Sequence, residues 1–90
     1  MIKITNCLSY KSLVSWLKKE RESRALTLRE AGLLMQEPHS FVDKTESGER
    51  KLGVHEFVQY CQALGIDPHV GVDMLMELQA KDKVVKQRKQ

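Results

Sequence analysis

Residues 37 to 52, Glu-Pro-His-Ser-Phe-Val-Asp-Lys-Thr-Glu-Ser-Gly-Glu-Arg-Lys-Leu, constrain the fold of this chain more than any other stretch. Pro38 suits the first position of a helix, because the amide hydrogen it lacks would go unpaired there. Gly48 is placed to end the same helix in a left-handed conformation that side chains resist. The pair therefore brackets a short helix over residues 38–47. Upstream, Thr27 and Glu30 have the spacing of a capping box, in which each side chain accepts from the other residue's backbone amide. That box starts a helix running through Met35. Two short helices and a tight turn read as a helix-turn-helix. Gly32 lies inside the first of them, where glycine costs about 1 kcal/mol against alanine. Its presence predicts that another helix backbone packs close to it.

The flanking segments complete an all-α reading. Residues 1–8, with Ile2 and Ile4 alternating with polar residues, suit an edge strand or docked arm, or else an ordinary frayed terminus. A first helix is expected from about Tyr10 to Arg24, with Ser9 as N-cap and Leu13, Val14, Leu17 and Trp16 as its apolar stripe. Leu26 reaches back to the core. Ala31, Leu34, Met35, Val42 and Thr45 are expected to face inward. A fourth helix spans about Val54 to Leu64, with Val54, Phe57, Val58, Cys61 and Leu64 inward and Gly65 as its stop. Asp67 and Pro68 start a fifth helix that reaches about Ala80, with Val70, Met74, Leu75 and Leu78 inward. Val72 and Met76 lie on a different face, which is more apolar than a monomer needs. The expected organisation is an arm (1–8), one five-helix domain (9–80) and a basic tail (81–90).

Composition excludes several classes. Ninety residues make one domain, and no apolar run approaches the roughly 18 residues of a membrane span. The N-terminus lacks a secretory signature, so cytoplasmic residence is the default expectation. Cys7 and Cys61 fit neither a disulfide framework nor a zinc spacing. His39, His55 and His69 are scattered, so no metal and no cofactor are expected. No nucleophilic triad or phosphate-binding glycine loop can be assembled, which argues against an enzyme. The net charge is +3, but the tail 81–90 carries five Lys/Arg against one Asp. Residues 1–80 therefore come to −1, and net charge alone does not announce a nucleic-acid binder.

Taken in order, Arg21, Leu26-Thr27, the Thr-x-x-Glu box, Pro38 to Val42, Glu46-x-Gly48-x-Arg50, Leu52 and the run Phe57 to Pro68 resemble the Cro/cI-type (XRE) helix-turn-helix family. The resemblance spans about residues 10 to 76. It implies a five-helix, lambda-repressor-like domain that binds operator DNA, usually as a homodimer. It maps the family's recognition positions onto His39, Ser40 and Lys44, with Phe41 and Asp43 at the margin. It maps a buried ion pair onto Arg21 and Glu46, and a backbone-contacting loop onto Arg50 and Lys51. Three positions depart from the family pattern. The turn carries Gln36 rather than Gly, the second helix starts with Leu28 rather than Gln, and Asp43 replaces the usual Ser or Thr.

Each side chain has a chemical reason for its expected role. Lys44 can reach guanine O6 and N7, Ser40 a base or a phosphate, and His39 a guanine acceptor or solvent. Phe41 can pack on a thymine methyl or in the core. Arg29, Arg50 and Lys51 are the expected phosphate contacts, aided by the positive end of a helix. Residues 36–53 hold three Lys/Arg and four acids, so the positive field must come from placement rather than sum. Val72, Met76 and the N-terminal residues are the expected dimer contacts. Two functions remain open: a transcription regulator, probed by steep salt dependence, and a protein-interaction module or antitoxin-like partner of a toxin, whose contact would be salt-indifferent.

Overall fold

Local chemistry sets where each helix begins and ends. In the computed structural model, which describes residues 7–82, five helices follow in order: α1 (Leu8–Ser23), α2 (Leu28–Met35), α3 (His39–Ser47), α4 (Val54–Leu64) and α5 (Pro68–Asp82). The Thr27–Glu30 box is formed at the start of α2: the Glu30 amide donates to Thr27 Oγ1 at 3.0 Å, and the Thr27 amide to Glu30 Oε1 at 2.8 Å. Glu56 supplies half of the same arrangement at α4, accepting from the Gly53 amide at 3.0 Å. Asp67 Oδ1 accepts from the His69 amide at 2.9 Å at the start of α5. Gly48 closes α3 at φ 87°.

Two boundaries differ from expectation. The first helix starts at Leu8 with Cys7 as its cap, so Ser9 lies inside the helix and is buried rather than capping it. Pro38 stands just ahead of α3, in extended conformation, instead of within its first turn. The expected arm (1–8) and basic tail (81–90) fall mostly outside the described residues.

The core forms where α1 and α4 meet the α2–α3 pair. Leu17, Ala31, Val42, Tyr60 and Cys61 are fully enclosed there, with Phe41, Phe57 and Leu64 around them. Leu26 packs against this cluster from the α1–α2 loop. Burial pushes the Cys61 thiol up to about 11, with Asp67 adding to the shift, so the nucleophilic thiolate is suppressed at neutral pH. Helix α5 lies mainly against α1. It can do so because Gly71 has no Cβ; one built there would lie 2.8 Å from Phe57 Cζ and 2.9 Å from Trp16 Cζ3.

Three residues expected inside are outside. Leu34, Val54 and Val70 are 55%, 82% and 51% exposed. All three sit near a helix end, where an apolar residue can satisfy the periodic pattern and still project past the core. Among the described residues, no helix is long and apolar enough to cross a membrane.

Candidate nucleic-acid interface

The α2–α3 pair is held at close range by backbone. A Cβ on Gly32 would meet the Glu37 carbonyl oxygen at 2.6 Å and the His39 nitrogen at 3.3 Å. The missing side chain lets the start of α3 rest on α2, as its position inside a helix implied. The turn itself is made by Gln36, at φ 60° and ψ 40°. A left-handed residue is what the turn requires, and glutamine supplies it where glycine would do so without strain. The Glu37 amide donates to the Gly32 carbonyl at 2.8 Å, and Gln59 Nε2 to the Met35 carbonyl at 2.6 Å. The last carbonyls of α2 are therefore tied both to the turn and to α4.

Helix α3 then divides into two faces. Val42 and Thr45 are wholly buried and Phe41 is 8% exposed. His39, Ser40, Asp43, Lys44 and Ser47 are exposed. Among the described residues, the side chains of His39, Ser40, Asp43 and Lys44 have no hydrogen-bond or ion-pair partner, so they are presented to solvent. Phe41 resolves toward the core. Its ring packs among buried residues, with the Arg50 guanidinium carbon 4.5 Å from the ring centroid.

An ion pair fixes α3 against α1. Arg21 Nε donates to Glu46 Oε2 at 2.8 Å and Nη2 to Oε1 at 3.0 Å, with both side chains at least nine-tenths buried. Arg21 Nη1 also donates to the Leu26 carbonyl at 2.6 Å. The Tyr60 hydroxyl donates to the same Glu46 carboxylate. Burial first, and that hydrogen bond second, raise the Tyr60 pKa far above its ordinary value, so the phenol stays protonated. Tyr60 is the member of this network that sequence reasoning missed. Its position three residues after Phe57 and four before Leu64, on the inward stripe of α4, is a signal that could have placed it inside.

The cations expected to meet phosphates divide differently. Arg29 and Lys51 are exposed and have no partner among the described residues. Arg50 is engaged: Nη1 and Nη2 donate to the two Glu56 carboxylate oxygens at 3.0 and 3.2 Å. The Glu56 partnership raises the Arg50 pKa and lowers that of Glu56, to which the Gly53 amide also contributes. Arg50 thus differs from Arg29 and Lys51 in having its charge opposed by a carboxylate.

The fold is shared with known proteins. The chain is 34% identical to an XRE-family like protein from Pseudomonas syringae pv. tomato str. DC3000, with a TM-score of 0.73 over 79% of this chain and 87% of that one. Two structures of the clp gene regulator ClgR from Corynebacterium glutamicum share the fold, at 20% and 23% identity. Their TM-scores are 0.68 and 0.67, over 78% and 82% of this chain and 91% and 82% of theirs. No protein-family model and no curated protein matches the chain.

Proposed function

The chain belongs to the XRE family of helix-turn-helix proteins, and from that premise we propose that it is a sequence-specific DNA-binding transcription regulator. The observation that carries the proposal is the division of α3: one face locked into the core, the other polar and unpaired. In this reading α3 enters the major groove. Lys44 reaches guanine O6 and N7, His39 donates to a guanine acceptor, and Ser40 bonds a base edge or phosphate. Arg29, in the first turn of α2, and Lys51 contact phosphates and set the register of the helix on the duplex.

The regulator acts as a homodimer on a palindromic operator, as a repressor or autoregulator. Val72 and Met76 are 43% and 67% exposed on α5, and their pairing across a two-fold axis supplies the apolar contact. Two copies of α3 then meet half-sites about 34 Å apart. Selection of bound sequences from a random duplex pool tests this: an enriched symmetric site is expected, and no enrichment contradicts it. Met76→Glu is expected to give a sedimenting monomer that loses the site.

A second reading has one observation in its favour. Leu33 and Leu34 are 74% and 55% exposed side by side on α2, an apolar surface that a protein partner such as a toxin could cover. That contact would persist at high salt, where DNA binding fails.

A further inference from the structure

The loop between α3 and α4, residues 48–53, carries Lys51 at its tip, and backbone groups on both sides of it are fastened. The Glu49 and Arg50 amides donate to the Lys44 carbonyl at 2.9 and 3.2 Å. The Tyr10 hydroxyl donates to the Arg50 carbonyl at 3.3 Å and accepts from the Leu52 amide at 3.0 Å. The Gly53 amide is held by Glu56, which also grips Arg50. One hydroxyl thus bridges the peptide groups on both sides of Lys51, from a residue about 40 positions away on α1.

We propose that Tyr10 is a positioning residue for DNA binding: by pinning the Arg50 carbonyl and the Leu52 amide, it aims Lys51 at a phosphate that the loop could not otherwise hold in register. The inference rests on the DNA-binding reading above. Tyr10 is only 6% exposed and belongs to α1, so it touches no nucleic acid itself. Its effect passes through the loop. A free loop would leave Lys51 a mobile ammonium, and ordering it at the moment of binding would cost entropy that the bridge removes in advance. The Arg50–Glu56 pair belongs to the same device: Arg50, stacked on Phe41, braces the loop rather than gripping DNA.

The test is the salt dependence of DNA binding, measured for the parent protein, Lys51→Ala, Tyr10→Phe and the double variant. Tyr10→Phe keeps the ring and removes only the hydroxyl bridge. Each phosphate contact contributes about 0.9 to the slope of log affinity against log salt. Lys51→Ala and Tyr10→Phe are each expected to lower the slope by about that amount, and the double variant to lower it no further. A Tyr10→Phe slope equal to the parent's, or additive losses, overturns the inference while leaving the DNA-binding reading intact. Absence of salt-sensitive binding by the parent protein overturns both. Hydrogen exchange at the Leu52 amide of the intact protein gives a check that needs no variant. Strong protection is expected, and exchange as fast as an open loop amide overturns the proposal.

Discussion

The Arg21 guanidinium and the Glu46 carboxylate meet edge to edge across α1 and α3, through hydrogen bonds of 2.8 and 3.0 Å. Tyr60 adds a third donor to the same carboxylate from α4, so one acidic group ties three helices together. This junction orients α3, because Glu46 lies one turn after Val42 on the same rigid helix.

Removing that carboxylate strands three donors, two on Arg21 and one on Tyr60. Glu46→Ala leaves Arg21 with only the exposed Glu22 carboxylate at 3.9 Å and Tyr60 with an unpaired hydroxyl, a loss of about 3–5 kcal/mol. The melting temperature is expected to fall sharply and DNA binding to disappear with the fold. Tyr60→Phe removes a single hydrogen bond and is expected to cost about 1 kcal/mol. A Glu46→Ala protein that melts like the parent contradicts this role.

At Gly32 two effects oppose each other. Alanine gains about 1 kcal/mol in a helix interior. Its Cβ, however, would lie 2.6 Å from a backbone oxygen of Glu37, which cannot rotate away. Overpacking of this kind costs about 1–3 kcal/mol, so Gly32→Ala is expected to be net destabilising in urea titration. A stabilised Gly32→Ala would mean that α2 and α3 are not held at this distance.

Thr45 carries an opposite opportunity. It is fully buried on α3, and its hydroxyl finds no hydrogen-bond partner among the described residues. An unsatisfied buried hydroxyl costs about 1–3 kcal/mol. Thr45→Val keeps the shape and removes the hydroxyl, and is expected to raise stability by about 1 kcal/mol. A loss of stability on chemical denaturation would show that the hydroxyl has a partner.

Acid should weaken the α3–α4 loop through Glu56. Its folded-state pKa lies below the ordinary 4.5, first because Arg50 bonds the carboxylate and second because the Gly53 amide does. The unfolded chain therefore takes up that proton more readily. The contribution to stability is complete above pH 4.5 and is lost as pH falls through the lower folded value. Asp67, lowered by His69, acts in the same direction. Glu56→Gln is expected to flatten the acid limb of the stability curve relative to the parent. Superimposable limbs would remove Glu56 from the account.

The features legible in the sequence were those fixed by local chemistry. The Thr27–Glu30 box needs only two side chains three residues apart, and Gly48 only a positive φ that other residues resist. Gly32 was legible as a close approach because nothing else explains glycine inside a short helix. Periodicity failed at Leu34, Val54 and Val70, since it gives the phase of an apolar stripe but not how far the core extends along it. Ser9 was misread as a cap because its burial inside α1 depends on tertiary packing. The fate of Arg50 was illegible for a different reason. Its sequence position suits a phosphate, but Glu56, whose side chain also caps α4, competes for its charge across a loop. Tyr10 was hidden likewise, since its partners in the loop are about 40 positions away.

The exposed face of α3 is the centre of the functional account, and Lys44 is its most direct probe. The measurement is fluorescence anisotropy on the DNA just upstream of the protein's own gene, against a scrambled duplex, at two salt concentrations, for the parent and Lys44→Ala. Tight binding to the native duplex that weakens steeply with salt, and that Lys44→Ala reduces together with discrimination against the scrambled duplex, is the expected result. Equal weak binding to both duplexes, indifferent to Lys44, would contradict the account and shift attention to the apolar surface at Leu33 and Leu34.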